Sequence, residues 1–240
     1  MNDEKMVFFT QVAHEIKTPL SLVKSPMEDI LERKKWDEDT ETDLEIMKKN
    51  IDRLLELVCQ LLDFRKIDSG DIVLSSENLD LKAVVTDIVN RFLKNGTAKI
   101  TVNAPDYPLV GRLSTDAINK IIGNLLGNSL KFAYSSICVN LSEFTDGDKD
   151  MFRIEVWNDG PEIQPEYKNR IFEPFFQAAK GKNNAKGFGI GLSLVKLLVD
   201  RLEGKVYVSD SETGCGMVVE IPVVRAADDS TGHEASEEKA

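Results

Sequence analysis

The chain has 240 residues, 42% hydrophobic and 30% charged, with a net charge of −11 at pH 7. At about 150 residues per domain this length holds two small domains or one large one, and the composition excludes a disordered chain, a collagen and a disulfide-stapled miniprotein. The acidic balance argues against nucleic acid as a partner, and no apolar run approaches the roughly 18 to 20 residues of a membrane span, so a cytoplasmic chain outside the membrane is expected.

In chain order, Phe9, Ala13, Ile16, Leu20, Val23, Met27 and Ile30 recur at spacings of three and four, which predicts a helix with a coiled-coil-like seam. Leu44, Met47, Ile51, Leu54, Val58 and Leu61 repeat the pattern, with Leu55 and Leu62 widening the stripe. The polar stretch Lys34 to Thr40 is short enough to make the two helices antiparallel neighbours, and Ser69-Gly70 ends the second. A lone hairpin cannot bury so wide a stripe, so a homodimer forming a four-helix bundle is expected, with Phe9 and Ile16 buried and His14 pointing outward. Pro19 and Pro26 interrupt the first helix and kink it. The only other histidine, His233, lies in the tail, so His14 is the one candidate for imidazole chemistry. By spacing alone, an exposed His beside Glu15 is an ordinary solvated pair.

After Gly70 the period alternates. Ile137, Val139 and Leu141, then Phe152, Ile154 and Val156, then Met217, Val219 and Ile221 read as half-buried strands. Helices are predicted at about 81–93, 115–133 and 190–203, and Asp146-Gly147 makes a hairpin turn. Helices on one face of a largely antiparallel or mixed sheet follow. The helix at 115–133 is apolar over most of its circumference, yet Lys120, Asn124, Asn128 and Lys131 form one polar stripe. That stripe suits either solvent or a triphosphate with its metal, the lysines supplying charge and an amide oxygen completing a magnesium octahedron. Asn158, Asp159, Gly160 and Ile163 follow a strand. Phe172, Phe175 and Phe176 precede Gln177–Lys186, which has no apolar period and reads as a mobile lid, while Phe172 and Phe176 also suit a core. Gly187, Gly189, Gly191 and Leu192 open the next helix, where bare backbone N–H groups and the helix dipole suit an anion. The glycines of Gly214-Cys215-Gly216 suit a tight hairpin without any ligand. Cys59, Cys138 and Cys215 have no metal-ligand spacing and read as reduced thiols. P-loop, Ser/Thr/Tyr kinase and dinucleotide motifs are absent.

His14-Glu15-Ile16-Lys17-Thr18-Pro19-Leu20, preceded by Phe8-Phe9, resembles the H-box of sensor histidine kinases. Asn124 to Phe132 resembles their N-box, Asn158 to Ile163 the G1 box, Ile171 to Phe176 the F-box and Gly187 to Leu192 the G2 box, in family order. The G1 box departs twice, with Asn158 in the aspartate place and Glu162 in the place of the second glycine. The resemblance implies a dimeric hairpin followed by an α/β sandwich of the Bergerat (GHKL) ATPase type with a mixed sheet. It implies His14 as phosphoacceptor, Glu15 as its proton acceptor, and Thr18 as the residue placing water for dephosphorylation of a receiver domain. It further implies ATP as substrate, Mg²⁺ on Asn128, a phosphate contact from Lys131, and the adenine amino group on Asn158, with Asp159 as the second choice. The partner implied is a response regulator receiver domain, separate or fused downstream. Residues 1–70 are then a dimerisation and phosphotransfer domain, 71–224 the catalytic domain, and 225–240 an acidic linker or tail. The chain starts within a helix, so an origin in a longer, membrane-anchored receptor is expected. The rival readings are a dimeric scaffold with a degenerate ATP site, a phosphatase-biased core acting on the phosphorylated regulator, and another ATPase of the same fold.

Overall fold

In the computed structural model the described residues are 16, 17, 20, 21, 23–25, 27, 28, 30, 32, 38–70, 74–93, 99–177, 189–210 and 213–224. His14, Glu15, Thr18, Pro19, Pro26, Gly187 and the tail therefore lie outside them. The chain divides into two compact units, Met1–Ile72 and Val73–Ala240.

In the first unit the described residues from Ile16 to Glu32 are helical, and α1 runs Glu38–Asp68. Glu38, Asp39 and Thr40, assigned to the connection by their polarity, belong to α1, because nothing in them breaks a helix. The helix stops at Ser69-Gly70, where Gly70 takes φ 84° and donates to Ile67 O at 3.2 Å. Met27, Ile51, Val58 and Leu62 are buried. Ile16, expected in the core of the seam, is 42% exposed, and Val23, Met47 and Leu54 are exposed with it. Two helices offer one another only one side each, so part of so wide an apolar stripe stays uncovered within a single chain.

The second unit contains a five-stranded sheet in the order β2-β4-β5-β7-β6, formed by Lys99–Asn103, Ser136–Asp146, Lys149–Asn158, Cys215–Pro222 and Lys205–Val208. β2 pairs parallel to β4 and the other pairs are antiparallel, so the sheet is mixed. A separate ribbon pairs β1, Glu77–Asp80, with β3, Val110–Leu113. Three longer helices, α2 (Leu81–Leu93), α3 (Thr115–Phe132) and α4 (Gly191–Arg201), bury apolar faces. Those faces meet the alternate residues Ile137, Val139, Leu141, Phe152, Ile154, Val156, Met217, Val219 and Ile221, all buried. The β4–β5 loop is Gly147-Asp148, one residue on from the expected turn. Asp146 still pairs with Lys149, and Gly147 supplies the positive φ of 62°. Among the described residues no helix is long and apolar enough to cross a membrane.

Phe152 is one of the largest side chains fully enclosed between sheet and helices. Phe152→Ala is expected to lower unfolding free energy by about 3–5 kcal/mol, because the cavity adds to the lost transfer energy. Urea denaturation followed by circular dichroism measures this; a loss under about 1 kcal/mol would mean that the site collapses around the gap.

Candidate nucleotide site

α3 carries the polar stripe. Its N-terminus is fixed by buried Ser114, whose Oγ accepts from Ala117 N–H, and by Thr115, whose hydroxyl donates to Glu77 Oε1 at 2.6 Å. Ile118, Ile121, Ile122, Leu125 and Leu126 are fully enclosed, which fixes the helix's rotation and leaves Lys120, Asn124 and Asn128 half-buried and Lys131 exposed along one line. Asn124 Nδ2 donates to Lys120 O at 2.7 Å. Its oxygen faces α4: a Cβ added to Gly191 would stand 2.7 Å from Asn124 Oδ1. Glycine at 191 thus lets the first turn of α4 meet the stripe. No side chain caps that turn at Ile190, so its first backbone N–H groups and the helix dipole lie beside Asn124 without a side-chain cap. Leu192 lies in the same turn, half-buried. Among the described residues no group bonds the Asn128 amide.

The far end of α3 meets the end of β5. Gly160 packs so closely that a Cβ there would lie 2.2 Å from Phe132 O. Asn158, the last residue of β5, is 5% exposed; its Nδ2 donates to Cys215 O at 3.1 Å and its Oδ1 accepts from Gly160 N–H at 3.0 Å. The Cys215 thiol lies by the same amide, and burial pushes its pKa up. Ile163 is half-buried beyond the loop and Glu162 is exposed. Along α3, Asn124, Asn128 and Phe132 are successive turns of one face. The stripe therefore leads from the α4 N-terminus to Gly160 over about 12 Å at 1.5 Å per residue.

Asp159 is occupied otherwise. Its carboxylate accepts from the backbone N–H groups of Tyr134, Ser135 and Ser136 at 2.8 to 3.1 Å, and from the Ser135 hydroxyl at 2.6 Å. These donors, the Ser135 hydroxyl foremost, hold its pKa far below the usual carboxylate range. The group clamps the turn between α3 and β4. Because its pKa is lower folded than unfolded, its stabilisation is complete above the ordinary carboxylate value near 4 and is lost as pH falls below it. Thermal melts of wild type and Asp159→Asn are therefore expected to converge as pH is lowered from about 5 towards 2. A constant gap between them would mean that the carboxylate's charge is not what matters.

The aromatic segment is anchored by contacts absent from any motif. Phe176 meets Tyr167 in a tilted ring contact at 5.7 Å and lies under the Arg170 guanidinium at 4.4 Å. Phe172 and Phe176 are half-buried rather than core, and Ile171 is the buried member, since the 3₁₀ turn Arg170–Phe172 points it inward. Phe175 is exposed at φ 65°, and its N–H donates to Gly189 O at 2.9 Å. Gly189, at φ 74°, leaves no room for a Cβ against the Phe175 and Phe176 backbone. Phe175 and Gly189 are thus held together.

Two domain families match the chain. Residues 4–70 match the His Kinase A (phospho-acceptor) domain, and residues 114–225 match the histidine kinase-, DNA gyrase B-, and HSP90-like ATPase. The hybrid signal transduction histidine kinase D of Dictyostelium discoideum is 31% identical over 222 residues, covering 89% of this chain and 14% of that protein. The sensor histidine kinase TmoS of Ectopseudomonas mendocina is 32% identical, covering 89% and 22%. The sensor histidine kinase RcsC of Escherichia coli (strain K12) is 29% identical, covering 94% and 24%. The chain therefore spans less than a quarter of the length of each of these relatives. Full-length ShkA, crystallised with AMPPNP, superposes with a TM-score of 0.76 at 24% identity, covering 94% of this chain and 47% of that one. Matched by the phosphoacceptor family over its helical part and by the ATPase family over the part that holds the stripe, the chain belongs to the sensor histidine kinases.

Proposed function

We propose that these 240 residues form the catalytic core of a histidine kinase that moves the γ-phosphoryl group of ATP to His14 and then to an aspartate of a response regulator receiver domain. The observation that carries the reading is the meeting of Asn124 with the uncapped N-terminus of α4 at Gly191, which joins an amide-and-lysine stripe to an anion-seeking helix end. The N–H groups at Gly191 and Leu192, together with Gly187 and Gly189, are assigned to the phosphates, Lys131 to a phosphate oxygen, and the base to the Asn158 end with Gly160, Ile163 and Phe172 around it. The unengaged Asn128 amide fits a magnesium ligand, and the ion would neutralise charge between the phosphates.

In the first step a neutral His14 nitrogen attacks the γ-phosphorus as the bond to the β-phosphate oxygen breaks. ADP departs, and Glu15 accepts the imidazole proton. In the second step the receiver carboxylate attacks the phosphorus as the N–P bond breaks, and the imidazole regains its proton from Glu15; Thr18 is assigned to placing the water that later hydrolyses the aspartyl phosphate of the receiver to inorganic phosphate. Domains at 1–70, 71–224 and 225–240, a homodimer through the hairpin, and a place within a longer hybrid receptor belong to the same reading, which the named relatives support. The test is incubation with γ-labelled ATP and magnesium followed by addition of a receiver domain. Acid-labile, alkali-stable label that leaves the chain for the receiver is expected. ATP binding without any label would instead favour the phosphatase-biased or scaffold readings.

A further inference from the structure

We propose that residues 225–229, Arg-Ala-Ala-Asp-Asp, fold back from the end of β7 into a cavity on the second unit and tie the exit of that unit to its entry. The cavity has a volume of about 550 Å³ and lies apart from the candidate nucleotide site. It meets α3 at the capping residue Ser114, at the end away from Asn128, and α4 at Arg201, at the end away from Gly191. Leu74 and Ser76, where the chain enters the unit, form one side, and Val223 and Val224, where the described residues end, form another. Val223 N–H donates to Asp150 O at 2.9 Å, and Val224 O accepts from Arg112 N–H at 3.0 Å. The chain is thus handed from the five-stranded sheet to the β1–β3 ribbon at the edge of the cavity, and Arg225 starts from its wall.

The lining sets the chemistry of the occupant. Arg112, Lys149 and Arg201 bring positive charge, and Asp148, Asp150 and Glu203 bring as much negative charge. Lys149 and Glu203 approach to 3.8 Å at the exposed rim. A bare anion would meet the acids and a bare cation the bases, so neither a phosphate nor a metal ion matches so balanced a lining. Leu113 and Val223, both buried, make part of the floor apolar. The matching occupant therefore carries a cation, a short apolar stretch and an anion in succession, which is the order of Arg225, Ala226-Ala227 and Asp228-Asp229. Arg225, two residues past the bond from Val223 to Asp150, faces Asp148 and Asp150. The alanines cross the floor, and Asp228 and Asp229 come to Arg201 and Lys149. Extended chain covers about 3.3–3.6 Å per residue, so Asp228 reaches about 14 Å from Val224, enough to cross a cavity of this volume. Because the segment is tethered at the wall, its effective concentration there exceeds that of a second copy. With both ends of the unit held at one place, whatever follows in the chain is presented beside Leu74 and not beside the nucleotide.

The test is hydrogen exchange of the full chain, read by mass spectrometry on peptides spanning residues 225–232. Their amides are expected to exchange about tenfold more slowly than in an unstructured peptide of the same sequence, at each of two protein concentrations about tenfold apart. Asp228→Lys combined with Asp229→Lys is expected to abolish that protection, and adding Lys149→Glu and Arg201→Glu is expected to restore it. Exchange at the unstructured rate in wild type overturns the proposal, and so does protection that the two aspartate substitutions leave unchanged. Protection that disappears on dilution gives the cavity to a second copy and overturns it as well. A folded fourfold variant that stays unprotected overturns the charge pairing on which the proposal rests. The wild-type rates decide the matter even if that variant fails to fold, and none of these outcomes bears on the nucleotide reading.

Discussion

Offered γ-labelled ATP and magnesium, the wild-type chain is expected to acquire acid-labile, alkali-stable label, and His14→Gln to acquire none. The loss is total rather than graded because the imidazole nitrogen forms the new bond to phosphorus. Glutamine keeps the polarity and much of the reach, but its amide nitrogen lone pair is delocalised and does not attack. Only two histidines exist, so His233→Gln completes the experiment: it is expected to label like wild type. Nucleotide binding is expected to survive in His14→Gln, because every group assigned to ATP lies in the second compact unit. Magnesium-ATP at about 100 times its dissociation constant should therefore stabilise that unit by about 2.7 kcal/mol in both proteins. Label on His14→Gln would move the phosphoacceptor elsewhere. Loss of stabilisation together with label would make His14 part of the binding site instead of the nucleophile.

Legibility differed by the range over which each feature is encoded. The longer helices were readable because period and end signals are local: Ser69-Gly70 announces the end of α1 where the structure places it. The long strands β4, β5 and β7 alternate over enough residues to show a face. β1 and β3, at four residues each, are too short for a period, and they exist because each completes the other across more than thirty residues. β2 and β6 did carry a signal, in Ile100 with Val102 and Val206 with Val208, and a reading that weighted β-branched residues more heavily would have found them. At the candidate site, residue types and spacing pointed to the α3 stripe and to Gly191 separately. That Asn124 meets Gly191 depends on helix packing and has no local trace. Nor could spacing divide the work between Asn158 and Asp159. The division follows from which neighbours arrive: the Cys215 carbonyl at one, the backbone of Tyr134 to Ser136 at the other.

Asn128→Asp tests the centre of the stripe, and it is expected to abolish both the stabilisation by magnesium-ATP and the labelling of His14. The substitution changes one NH₂ to oxygen, so packing on α3 is preserved, and Asn128 is only half-buried, which keeps the stability of the empty unit close to wild type. Its effect falls on the ligand. In the proposed site an amide here would serve two ligands, its oxygen a cation and its nitrogen a phosphate oxygen. A carboxylate keeps the first role, loses the second and adds a negative charge beside a polyphosphate. Two like charges about 4 Å apart near a protein surface repel by about 4 kcal/mol at an effective dielectric constant near 20, and the magnesium ion screens only part of that. A weakening of at least about a hundredfold remains, equivalent to about 2.7 kcal/mol, which removes the thermal shift at ordinary ATP concentrations. Asn128→Ser, which keeps a small oxygen ligand and a donor without the charge, is expected to retain a measurable shift. If Asn128→Asp is stabilised by magnesium-ATP as strongly as wild type, the metal and the phosphates lie away from this turn of α3, and the stripe is a solvated face.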